Sequence, residues 1–161
     1  MTRRTIGLLA FGLVAALVAG CVSNSNLKSN PPEVIREVNA YKDGHDGISV
    51  SFVLTDKAGN PTASDGTAIL NIGTGTPPLF TKNYDIRASD FKETTVGQGV
   101  HAKTILTCSL GFIPYTQFSE KPYMHGLENV PYRDHSPVTL YFKTPDGKVL
   151  RGVTEIYWEA G

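Results

Sequence analysis

Ser, His and Asp are the residue types that relay a proton to a nucleophile, and Asp134-His135-Ser136 places all three side by side. On an extended chain consecutive side chains point to opposite faces, so these three cannot pass a proton among themselves. The stretch reads as a loop. The four histidines, His45, His101, His125 and His135, never fall at close ligand spacing. His125 and His135 share one long connection and could converge on a metal with Asp134 as a hard ligand, the constellation from which a metal-dependent hydrolase could be built. Scattered surface imidazoles are the alternative, and His101 is expected to face solvent. Asp43 and Asp46, with the glycines around His45, could cradle Ca²⁺, but that ion takes roughly 6 to 8 oxygen ligands and one loop with two Asp falls short. Asp-Gly pairs also serve turns. No Gly-x-Ser-x-Gly elbow, His-Glu-x-x-His, Cys-x-x-Cys or phosphate loop occurs. The expectation is a protein without a catalytic residue, metal site or cofactor.

The chain has two cysteines, Cys21 and Cys108. Arg3 and Arg4 open the N-terminus, an apolar run extends over 6–19, and small residues precede Cys21, which is the three-part plan of a signal peptide. A membrane-spanning helix needs about 20 apolar residues, and this run is shorter, with polar Ser23-Asn24-Ser25-Asn26 close behind it. Leu17-Val18-Ala19-Gly20-Cys21 resembles the lipobox of prokaryotic lipoproteins. That resemblance implies that Cys21 carries a thioether-linked diacylglycerol, with fatty acyl chains such as palmitate, and becomes the first residue of the mature protein. An ordinary signal peptide with a cysteine nearby by chance is the competing reading. Each buried CH₂ contributes about 0.8 kcal/mol and stable anchoring takes more than one chain, which a diacylglyceryl group supplies. The implied address is the extracytoplasmic face of the cell envelope, and the outer membrane in a Gram-negative host, because Val22 stands where an inner-membrane lipoprotein has Asp.

With Cys21 acylated, Cys108 has no intramolecular partner. It shares its parity with Val100, Ala102, Leu106 and Leu110 and reads as a small buried hydrophobe. A reactive or intermolecular thiol is the alternative. Removing residues 1–20 takes Arg3 and Arg4 from the 15 basic residues, leaving 13 against 15 acidic. No Lys/Arg block points to nucleic acid.

The elements that would hold any site follow from periodicity. Residues 21–32 hold the lipidated Cys and a Ser-, Asn-, Lys- and Pro-rich tether, and Pro31-Pro32 ends it, so one domain is expected over 33–161. Ile48, Val50, Phe52 and Leu54 alternate with Ser49, Ser51 and Thr55, the pattern of a half-buried strand. Further strands are predicted at 33–41, 67–72, 83–88, 100–110, 138–143 and 149–158. Asp56-Lys57-Ala58-Gly59-Asn60-Pro61 predicts a tight reversal, and Thr144-Pro145-Asp146-Gly147 the turn of a hairpin. No window past the signal peptide shows helical spacing. About seven short strands in one domain predict an all-β, antiparallel two-sheet sandwich. The opening pair, 33–41 and 47–56, is similar to the first strands of Ig-like and fibronectin-type-III-like modules of prokaryotic surface proteins, which implies an Ig-like sandwich behind the signal peptide and tether.

One stretch escapes this pattern. Residues 111–137 hold Phe112, Tyr115, Phe118, Tyr123 and Tyr132 with four prolines and show no sustained alternation. A connection this long without regular structure is functional or disordered, and its aromatic content argues against disorder. Phe112 and Phe118 are expected to cap an open end of the sandwich. Tyr115, Tyr123 and Tyr132 are the candidates for an exposed surface that recognises a protein or glycan, since Tyr brings large apolar area with little entropy loss and adds a hydroxyl. The functional expectation is a lipid-anchored binding module held to a membrane by Cys21. The alternatives are a structural subunit of an envelope assembly and the hydrolase sketched from His125, Asp134 and His135.

Overall fold

Alternating side chains become paired strands throughout the computed structural model, which describes residues 30–44, 46–96, 103–119 and 135–158. The strands are β1 (Val34–Lys42), β2 (Gly47–Thr55), β3 (Pro61–Thr62), β4 (Gly66–Ile72), β5 (Phe80–Ile86), β6 (Phe91–Val96), β7 (Lys103–Pro114), β8 (His135–Lys143) and β9 (Val149–Tyr157). Every pairing is antiparallel. One sheet runs β1-β2-β7-β6, with β3 added at the end of β2, and the other runs β5-β4-β8-β9. Lettered in chain order with β3 left out, these are A-B-E-D and C′-C-F-G, the strand order of an immunoglobulin-type sandwich. The all-β, two-sheet expectation is met.

The core lies between the sheets. Val50, Phe52 and Leu54 of β2 face Ala68, Leu70 and Ile72 of β4 and Val138, Leu140 and Phe142 of β8, all at 1% exposure or less. Phe52 packs edge-on to Phe91 at 5.6 Å and tilted to Phe142 at 5.8 Å. Burying an aliphatic or aromatic side chain of this kind contributes about 1.5–3 kcal/mol. Cys108 joins this cluster at 0% exposure, opposite Phe52 and Phe91. It behaves as the small hydrophobe its parity suggests.

β1 and β6 depart from their sequence pattern. In β1 the register shifts between Ile35 and Glu37, so Ile35 and Val38 both point inward although they lie an odd number of positions, three, apart. β6 went unpredicted because it is an edge strand on which Phe91 is buried while residues 92–95 are exposed, leaving no alternation to read.

Register fixes two poles. At one, Val34 faces Thr55, and here lie the Asp56 turn, the start of β4 and the β8–β9 hairpin turn. The Asp56 carboxylate accepts from the amides of Ala58 and Asn60, from Asn60 Nδ2, and from Asn30 Nδ2 at 2.8 Å. Thr62 Oγ1 donates to the Asn30 carbonyl at 2.7 Å, and Lys148 pairs with Glu33. The chain is thus clasped to this pole from Asn30 onward. At the opposite pole lie the β1–β2 turn, the β4–β5 loop, the end of β7 and the start of β8.

Candidate functional site

The aromatic segment that begins at Gly111 leaves the sandwich at the pole opposite the Asn30 clasp. β7 does not stop at Leu110 as its pattern suggests. Ser109 faces Ser51, but Phe112 rather than Gly111 faces Ser49, so β7 carries one extra residue there. Gly111 takes φ 80° and donates its N–H to Ser109 Oγ at 3.1 Å, a bulge conformation that glycine adopts without steric cost. The extra residue inverts the parity: Leu110 and Ile113 are both buried, and Phe112 is turned outward at 51% exposure. The expectation that Phe112 caps the sandwich is therefore corrected.

Phe118 does cap it. Its ring stacks on Phe80 at 5.2 Å and meets Tyr115 at 5.7 Å and Trp158 at 6.4 Å. Tyr115, expected at an exposed recognition surface, is buried at 7% exposure and lies 6.1 Å from Trp158. The physical reason is the 3-10 turn Tyr115–Gln117: at three residues per turn, side chains at positions 115 and 118 eclipse and enter the same opening. Tyr115 N–H donates to the Asp46 carbonyl at 2.8 Å and Ser119 N–H to the Leu79 carbonyl at 2.8 Å, so the β1–β2 turn and the β4–β5 loop both fasten this segment. Trp158 completes the plug, with Nε1 donating to Ser136 Oγ at 2.8 Å. An aromatic pair at i and i+3 behind a proline is the sequence signal from which this arrangement could have been read.

Cys21, Tyr123, Tyr132, His125 and Asp134 lie outside the described residues, as do His45 and His101. Of the hydrolase constellation, His135 and the neighbouring Ser136 are described. His135 is exposed at the start of β8, its ring 5.7 Å from Tyr157 and its Nε2 3.9 Å from Glu155 Oε1. Tyr157 donates to Glu155 Oε2 at 3.1 Å, and that hydrogen bond together with the carboxylate charge pushes the phenol above its usual range. Ser136 is buried against Trp158, and its Oγ accepts the hydrogen bond from the indole N–H. The loop considered for calcium uses its groups in the turn: Asp43 N–H donates to the Gly47 carbonyl at 3.0 Å, and Asp43 Oδ2 accepts the Ser49 hydroxyl at 2.6 Å. Among the described residues, no three His, Cys, Asp or Glu side chains come together as a metal-holding group.

No protein-family model matches the chain, and comparison with curated proteins and with solved structures finds no match. A buried aromatic plug closes the sandwich, and exposed aromatic and hydroxyl groups stand on the sheet beside it.

Proposed function

We propose that this protein is a lipid-anchored, extracytoplasmic binding module of the cell envelope, related in plan to the Ig-like modules of prokaryotic surface proteins. Cys21 is its lipid attachment residue, and its partner is a protein or a glycan. The observation that carries the reading is Leu17-Val18-Ala19-Gly20-Cys21 at the end of an apolar run with a polar stretch directly behind it. The clasp at Asn30 supports it, because a chain that joins the sandwich at one pole leaves the opposite pole, with Phe112, Tyr115 and Phe118, directed away from the anchor. Cells expressing the full chain and fed radioactive palmitate test the anchor: label should appear on the protein and vanish with Cys21→Ser. Absence of label, or label that survives the substitution, defeats the anchor.

A structural subunit of an envelope assembly is the second reading. It draws on β9, where Val149, Val153 and Tyr157 are each at least half exposed on one face. A stoichiometric partner recovered from solubilised membranes, lost on Val153→Glu, would favour it over a free-standing binder.

A further inference from the structure

The Gly111 bulge does more than extend a strand, because it moves a phenyl ring from the core side of the sheet to the outer side. Phe112 faces Ser49, and Ser49 faces Tyr41 on β1, so one row across β1, β2 and β7 reads Tyr41-Ser49-Phe112. The next row reads Asn39-Ser51-Ser109. Tyr41 is 57% exposed and Phe112 51%. With neighbouring strands about 4.8 Å apart, the two rings rise from backbones about 10 Å apart, and the surface between them is floored by small hydroxyl side chains. Phe112 is held in place from below: a Cβ on Gly47 would stand 2.4 Å from its Cζ, so the ring lies across bare backbone with its other side open to solvent. Asp43 borders the floor and takes the Ser49 hydroxyl at 2.6 Å.

We propose that this row is a carbohydrate-binding site, in which the C–H face of a neutral pyranose stacks on Phe112 and Tyr41 while its hydroxyls bond Asp43, Ser49 and the Asn39-Ser51-Ser109 row. The composition selects that class of ligand. A wholly apolar occupant would cover Asn39, Ser51 and the remaining hydrogen-bonding capacity of Ser49 and Ser109 without satisfying it, at a cost for each. A phosphate or carboxylate would meet the Asp43 charge. A neutral polyol has an apolar face and a ring of donors and acceptors, and it satisfies both parts of the row. The bulge supports a dedicated role, since bulges re-aim side chains beside functional sites and this one turns an aromatic outward at the pole opposite the tether. The proposal rests on reading the domain as a binding module and is independent of the lipid anchor.

Full-length protein, purified in detergent, is run through native gels containing hydroxyethyl cellulose or glycol chitin and titrated calorimetrically with cellotetraose and chitotetraose. Retarded migration and saturable heat are expected with at least one of the two sugar series. Phe112→Leu keeps an apolar cover on Gly47 but removes the aromatic face, and Tyr41→Ala alters an exposed position on an edge strand. Each should weaken binding by roughly tenfold or more, whereas Phe112→Trp should retain it. The proposal is overturned if neither polysaccharide retards the wild type, or if Tyr41→Ala and Phe112→Leu both bind as it does. Retardation with no palmitate label on the cells would sink the anchor and leave the sugar site standing, and the reverse pair of results would do the opposite.

Discussion

Asp56 shows how much one side chain organises here. Its carboxyl is held down at about 2, first by the Asn30 side-chain amide, then by the Asn60 side chain and the Asn60 and Ala58 amides, against an opposing effect of burial. A carboxyl whose folded value lies below its unfolded one binds its proton more tightly in the unfolded chain. Its stabilising contribution is therefore complete above about pH 4 and lost as pH falls towards about 2. Acid titration of unfolding should show Asn30→Ala and Asp56→Asn less stable than wild type at pH 7, with the gap closing below pH 4. Cys108 makes the opposite case. Burial, helped by the nearby Asp90 charge, pushes its thiol up to about 11. Iodoacetamide at pH 8 should leave the Cys108 peptide unmodified in native protein and alkylate it in urea, as read by mass spectrometry. The turn around Asp56 was legible from its Asp, Gly, Asn and Pro. The reach back to Asn30 was not, because a side-chain bond across 26 residues leaves no local pattern.

Among the elements, β2, β4, β8 and β9 declared themselves by alternation because each has one face on the core. β5 begins at Phe80, ahead of the predicted 83, since residues 81–83 are exposed and give the edge strand no apolar period. The bulge in β7 was hidden because a glycine inside a strand pattern reads equally as an ending, and Tyr115 was misplaced outward because turn geometry, not residue type, decides its burial. Two glycines test the elements for different reasons. Gly111 has open space around its Cα, so Gly111→Ala should cost about 1–2 kcal/mol from its positive φ alone. Gly152 lies on β9 against β1, and a Cβ there would stand 2.6 Å from Val38 Cγ2 and 2.7 Å from Ile35 Cγ2. Gly152→Ala should cost about 1–3 kcal/mol through overpacking. Urea unfolding followed by the single Trp158 reports both, and no loss at Gly152 would mean that β1 and β9 do not meet as described.

Across the whole molecule, fold class was legible because two apolar faces per sheet pair suffice to specify a sandwich, whereas the Tyr41-Ser49-Phe112 row proposed to bind sugar was not, because its residues come from three strands whose order follows from pairing alone. The Trp158 plug ties the far pole together: Ser136→Ala would leave the buried indole N–H unsatisfied and should lower stability by about 1–3 kcal/mol, with little change in the urea m-value. The clasp at the other pole has a mechanical meaning. β1 runs from Val34, just past the Asn30 clasp, towards the far pole, antiparallel to β2 along its length, so a load applied ahead of Asn30 and resisted at the far pole acts along the strand axis. Such a load shears the β1–β2 ladder and engages its hydrogen bonds together instead of opening them one by one. The Asn30, Thr62 and Glu33–Lys148 contacts meet that load first. Under it the clasp contacts would open before the β1–β2 ladder behind them.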